Sequence, residues 1–155
     1  MVFTDTKSSL HRSVNSLISS SNEKSSYNAL KFLKQVGDLG VTKFDTSPCY
    51  GQSEKIMGAY IKKSKYVPFI SSKIDGLQPG NPRSPREMVE SVKISLENLN
   101  KDFLDICYLH QNEMKIISDH YIHEGLEKLK ELKLIKKTGA SIYFYDECQC
   151  AIESN

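Results

Sequence analysis

The chain has 155 residues, 39% of them hydrophobic and 26% charged, with a formal net charge of +2. That length supports one domain whose core buries roughly 70% of the surface of the unfolded chain, while the near-neutral balance argues against nucleic acid or an anionic membrane as partner. No apolar run reaches the roughly 18 residues of a bilayer span, the N-terminus has no apolar signal core, and the four cysteines occupy settings too unlike for a disulfide framework, so a cytoplasmic protein is expected.

Residues 1–26 hold nine serines and few large apolar side chains, which predicts a loose tail ahead of one domain over residues 27–155. A helix follows, with Ser25 or Ser26 as N-cap, Leu30, Leu33 and Val36 at helical spacing, and Gly37 or Gly40 as its stop. Residues 41–46 (VTKFDT) read as a strand, and a turn through Pro48 and Gly51 carries Tyr50 at its tip. Ser53 and Glu54 open a helix to about residue 63 with Ile56, Met57, Tyr60 and Ile61 on one face. The β-rich run 67–74 (VPFISSKI) places Lys73 near its end, and a loop with Gly76, Pro79, Gly80 and Pro82 leads to Ser84-Pro85-Arg86-Glu87, a capping box with proline at the first helical position. Val89, Val92, Leu96 and Leu99 continue that helix.

Residues 103–110 (FLDICYLH) are nearly continuous apolar sequence, as in a strand covered on both faces of a parallel sheet, and they end in His110. The next helix turns Ile122, Leu126, Leu129 and Leu132 inward; residues 137–143 (KTGASIY) form a further strand, and Asp146 begins a last helix. Strands alternating with helices predict an α/β fold with a parallel sheet and right-handed crossovers.

Asp45, Lys73 and His110 each fall at the C-terminal end of an expected strand, and Tyr50 lies on the loop after the first. Those ends converge on one face of a parallel barrel or doubly wound sheet, where ligands bind. The residue types suit general acid catalysis on a carbonyl oxygen. Tyrosine is a weak donor at neutral pH, a nearby lysine favours its phenolate, an aspartate holds that lysine charged, and a histidine orients the substrate oxygen or relays a proton. Taken singly each has a structural reading, as a cap, a surface lysine, a packing tyrosine or a core histidine, and it is their joint placement that favours a site. Cys148-Gln-Cys150 has no second Cys/His pair at ligand spacing, and His120 and His123 have no third ligand nearby in sequence, so no metal is expected.

The stretch 44–58 (FDTSPCYGQSEKIMG) resembles the signature of the aldo-keto reductases, and the resemblance continues through Lys73, SLENLNKDFLDICYLH and GLEKLKELKLIKKTGASIY, over about residues 27–146. The Asp-Thr-Ser-Pro version is similar to the branch that oxidises free sugars, such as galactose and arabinose dehydrogenases. The resemblance implies that Asp45, Tyr50, Lys73 and His110 match the catalytic tetrad, with Tyr50 the proton donor, and that Ser141 contacts the nicotinamide amide of NADP. It implies a partial (β/α)8 TIM barrel, about strands two to five of the eight, and a small-molecule carbonyl or sugar substrate. The family's Gly-rich first strand has no recognisable counterpart before residue 27, its Lys/Ser/Arg cluster for the adenosine phosphates has none at all, and Ile142 stands where many members carry a polar residue. The expectation is therefore a truncated NAD(P)H-dependent oxidoreductase with weak or absent cofactor affinity, active or inactive on its own, with an apolar inner face and open sheet edges that invite self-association. The alternative is a non-catalytic remnant or interaction module that keeps the fold's first half.

Overall fold

The computed structural model describes residues 23–64, 67–78 and 83–154. Most of the serine-rich stretch, and Pro79, Gly80 and Pro82 of the expected loop, lie outside the described residues. The first helix, α1 (Glu23–Asp38), starts earlier than expected and takes Ser25 and Ser26 into its opening turns instead of using them as caps. Gly40 ends it at a φ of +86°, a left-handed conformation that costs glycine nothing, while the Val41 N–H reaches back to the Val36 carbonyl at 3.0 Å.

Three strand–helix units and a fourth strand with its helix follow: β1 (Lys43–Asp45), α2 (Ser53–Lys63), β2 (Phe69–Ile74), α3 (Pro85–Leu99), β3 (Ile106–Leu109), α4 (Met114–Ile117), α5 (His120–Glu131), β4 (Thr138–Ala140) and α6 (Tyr145–Glu153). The strands form one parallel sheet in the order β1-β2-β3-β4. Sequential parallel neighbours are the arrangement of a barrel wall rather than of a doubly wound sheet, which reverses order at its centre. Helix α3 has the capping box read from sequence: the Ser84 hydroxyl accepts from the Glu87 N–H at 3.3 Å and the Glu87 carboxylate accepts from the Ser84 N–H at 2.8 Å. Asn100 in the left-handed region closes it.

Side chains alternate across each strand. Phe44, Ile70, Ser72, Ile74, Cys107 and Leu109 point to the helix side, and the apolar members join Leu33, Met57, Val92, Leu99, Ile122 and Leu129 of the helices in one core. The other face carries Lys43 and Asp45 on β1, Phe69, Ser71 and Lys73 on β2, and Ile106 and Tyr108 on β3. The inner face is thus mixed and not apolar as expected, because the inward positions that end strands hold ionic and hydroxyl groups.

Two further expectations are corrected. Leu132 is 46% exposed, since it caps α5 at the point where Lys133 turns the chain with a φ of +57°. The fourth strand stops short of Ile142 and Tyr143, both exposed, because the Glu147 carboxylate accepts the Tyr143 and Phe144 N–H groups at 2.7 and 3.1 Å and turns them into the start of α6.

Candidate functional site

The C-terminal strand ends carry the polar cluster. Lys73, 8% exposed, donates from Nζ to Asp45 Oδ2 at 2.5 Å and to the Thr46 carbonyl at 2.8 Å. Asp45 also accepts from the Ser71 hydroxyl at 3.0 Å, so the carboxylate bridges β1 and β2 across their register pair Asp45–Ser71. A buried ammonium needs such partners to stay charged. The expected ion pair between Asp45 and Lys73 is present.

Tyr50 and His110 complete the cluster. The Ser47-to-Tyr50 turn, closed by the Tyr50 N–H on the Ser47 carbonyl at 3.1 Å, folds the phenol back over the sheet. Lys73 Nζ lies 5.0 Å from the Tyr50 ring centroid, and the Tyr50 ring stands edge-on to the His110 ring at 6.0 Å. His110 follows β3 directly, its N–H bound to the Ile74 carbonyl at 3.2 Å. Contacts therefore run Asp45–Lys73–Tyr50–His110, bringing together residues as far apart in sequence as 45 and 110. Ser141 sits at the same end, one residue past β4, with its N–H on the Leu109 carbonyl at 2.9 Å.

The electrostatics differ from the sequence expectation at one point. Lys73 was expected to draw the Tyr50 phenol down, but burial first, and then the Asp45 charge, raise it above the ordinary 10. The lysine sits over the ring, and its charge is answered by Asp45. The phenol is thus firmly protonated at neutral pH.

Around this cluster lie groups that the sequence reading passed over. His110 Nδ1 approaches Asp75 Oδ1 at 3.2 Å and Cys49 Sγ at 3.5 Å, and Gln111 donates to Asp75 Oδ1 at 3.0 Å. Burial pushes the Asp75 carboxyl up, but the bonds from Gln111 and the Gly76 N–H, with His110 beside it, hold it below its ordinary 3.8. Burial raises the Cys49 thiol; the Ser47 hydroxyl opposes this and the Asp75 charge adds to it. The only signal for either residue was adjacency: Cys49 precedes Tyr50, and Asp75 follows Lys73 by two. The remaining cysteines lie away from the cluster. Cys107 is buried in the core, its thiol pushed up to about 12, and Cys148 and Cys150 lie on α6. His123 bonds the Ile117 carbonyl at 2.7 Å, a structural contact.

The sequence pattern of the aldo/keto reductase family matches residues 14–151. The chain belongs to that family. Among its relatives are an L-galactose dehydrogenase of Arabidopsis thaliana, 32% identical over 117 residues that make up 71% of this chain and 36% of the relative, and a D-arabinose 1-dehydrogenase of Saccharomyces cerevisiae, 32% identical over 123 residues, 74% of this chain and 36% of the relative. An aldo-keto reductase of Bacillus halodurans superposes with a TM-score of 0.65 at 25% identity, over 81% of this chain and 43% of that one. One from Klebsiella pneumoniae, solved with NADPH, does so with a TM-score of 0.66 at 20% identity, over 94% of this chain and 46% of that one. The chain spans about a third of the length of these curated relatives and somewhat under half of these solved structures.

The aldo/keto reductase signature also has a packing content. Gly58, which closes the stretch 44–58, lies so near α3 that a Cβ there would stand 2.0 Å from the Asn98 carbonyl oxygen. Glu54 of the same stretch is buried and accepts from the Ser72 hydroxyl at 2.7 Å, locking the start of α2 to the helix side of β2. Thr46 and Ser53 hydroxyls bond at 2.6 Å and close the loop that carries Tyr50.

Proposed function

We propose that this chain carries the proton-transfer site of an NADP-dependent aldo-keto reductase acting on an aldehyde, ketone or sugar carbonyl, or on the corresponding alcohol. The observation that carries this reading is the placement of Lys73, fixed by Asp45 and Thr46 and poised 5.0 Å from the centre of the Tyr50 ring. In reduction, Tyr50 donates its proton to the carbonyl oxygen as charge develops there, and Lys73, fixed by Asp45 and Thr46, holds its ammonium over the phenol ring. His110 stands beside Tyr50 and positions the substrate oxygen through Nε2, its Nδ1 being turned to Asp75 and Cys49. Asp45 keeps the ammonium in place without touching the substrate. The raised phenol pKa suits this direction, since the donor must be protonated when the carbonyl arrives. When bound, the nicotinamide supplies the hydride. Ser141 fits it at one end: the residue is half-buried beside the cluster's strand ends, and its hydroxyl has no hydrogen bond among the described residues, leaving it for the carboxamide. The inclusion of sugars among the substrates draws on the names of the two curated relatives.

The test is steady-state oxidation of NADPH by the purified 155-residue protein with a simple aldehyde and with aldose sugars, against Tyr50→Phe. The expected result is turnover that Tyr50→Phe lowers by at least about 100-fold, the scale of a lost general acid. A folded protein with no turnover would favour the non-catalytic module instead.

A further inference from the structure

From the convergence of Cys49, Asp75 and His110, we infer a zinc-binding site beside the tyrosine, formed by Cys49 Sγ, His110 Nδ1 and one carboxylate oxygen of Asp75. The three side chains come from three separate loops, after β1, β2 and β3, and their ligand atoms all lie within 4.8 Å of one another. Their types are a thiol, an imidazole and a carboxylate, the donor set that favours Zn2+ over Mg2+ or Ca2+, which take oxygen alone.

Two of the three spacings agree with a shared tetrahedral ion. With Zn–S of about 2.3 Å and Zn–N or Zn–O of about 2.0–2.1 Å, tetrahedral angles put sulfur about 3.5 Å from nitrogen and nitrogen about 3.3 Å from oxygen. The observed separations are 3.5 Å for Cys49 Sγ to His110 Nδ1 and 3.2 Å for His110 Nδ1 to Asp75 Oδ1. That both partners address the same ring nitrogen argues against a nucleophilic triad, in which the two imidazole nitrogens serve opposite neighbours. It is the arrangement a single ion between three ligands produces.

The surroundings support and admit the ion. Gln111 Nε2 on Asp75 and Ser47 Oγ on Cys49 Sγ, at 3.0 and 3.2 Å, orient two of the ligands from behind. Cys49 is exposed and His110 and Asp75 are 24% and 33% exposed in their side chains, so the ion has a path from solvent and a fourth position open to water. As the Zn–S bond forms, the thiol proton passes to solvent. Zinc on Nδ1 also fixes the His110 tautomer with hydrogen on Nε2. On the reading proposed above, bound zinc would then tie the substrate-positioning histidine to its neighbours and act as a reversible inhibitor.

The site itself stands on the three ligands and not on that catalytic reading, and its test reads metal binding alone. The 155-residue protein, reduced and freed of metal, is titrated with Zn2+ by calorimetry and with Co2+ by absorption, which reports a thiolate bond as a charge-transfer band. The expected result is a site weakened at least about 10-fold by Cys49→Ser and by Asp75→Asn, a Co2+ band lost in Cys49→Ser, and binding unchanged in the Cys148→Ser/Cys150→Ser double variant. Circular dichroism identifies variants that fold, and His110→Gln replaces any single one that does not. Zinc affinity indifferent to Cys49 and Asp75, or a Co2+ band that follows Cys148 and Cys150, overturns the proposal.

Discussion

Tyr50 is the residue whose behaviour separates the geometry from the sequence. Lysine beside tyrosine reads as a phenolate-stabilising pair, yet the charge that moves the phenol is that of Asp45, the lysine's own ion-pair partner. With burial and Asp45 both raising the phenol above 10, Tyr50 remains protonated through the neutral range and ionises only in alkali. A spectrophotometric tyrosine titration of the protein minus that of Tyr50→Phe should isolate one phenol that ionises above pH 10. In Asp45→Asn that midpoint should fall, since the raising charge is gone and Lys73 is left unanswered; a midpoint that rises or stays put contradicts this account. The convergence of Asp45, Tyr50, Lys73 and His110 was legible because strand ends are readable from sequence and the family resemblance spans them. The sign of the coupling was not, because it depends on whether Nζ faces the hydroxyl or the ring. Cys49 and Asp75 stayed hidden for the same reason, that a turn residue and a post-strand acid acquire meaning only when a third loop delivers His110.

At the scale of elements, the two ends of the strands divide the labour. The N-terminal end is held by Asp105, 8% exposed, which accepts from the Ile70 N–H at 2.9 Å, from Lys101 at 3.0 Å and from Lys136 at 3.2 Å, tying β2 to the entries of β3 and β4. Burial raises the Asp105 carboxyl, but the Ile70 N–H and the two lysines outweigh it and bring it below its ordinary 3.8. Asp105→Ala would leave the Lys101 ammonium buried with the Pro68 carbonyl, at 2.9 Å, as its one hydrogen-bond partner among the described residues, and should cost about 3 kcal/mol in urea unfolding, the low end for breaking a buried pair. The folded pKa is depressed, so Asp105 stabilises fully above the unfolded value and loses this as pH falls through the folded one. The gap between wild type and Asp105→Ala should therefore be constant near neutrality and shrink below about pH 4. Gly58 gives a second prediction. Alanine there gains about 1 kcal/mol of helix propensity, but its Cβ meets a backbone carbonyl that cannot rotate away, so Gly58→Ala should lower the melting temperature, and a rise would show that α2 and α3 can part. The start of helix α3 was legible to the residue from its capping box and its body from its period, whereas β4 was read too long, because Ile142 and Tyr143 have strand propensity and Glu147 takes their neighbourhood into a cap.

For the whole molecule, the distribution of apolar surface is the telling property. Tyr143, Phe144 and Tyr145 are 79%, 71% and 79% exposed in succession, and Ile152 near the end of α6 is 71% exposed. They adjoin β4, which has β3 as its one ladder neighbour among the described residues, just as β1 has β2. A parallel strand with an unpaired side next to three exposed aromatic rings is a surface that another chain can extend and cover. The fold class was legible from the alternation of strands and helices, but this distribution was not, since the inner face read as apolar turned out mixed and the apolar surface lies past β4 instead. The 155-residue protein should accordingly show a sedimentation-average mass that rises with concentration. Tyr143→Asp with Phe144→Lys replaces two largely exposed rings by opposite charges and retains the backbone N–H bonds to Glu147, so the pair should return the protein toward monomer with its melting temperature nearly unchanged. If association persists in that variant, the unpaired side of β1 is the surface responsible, and a proline at exposed Lys43, whose N–H a second chain's carbonyl would need, should then remove it. Association that survives both changes would refute this account of the surface.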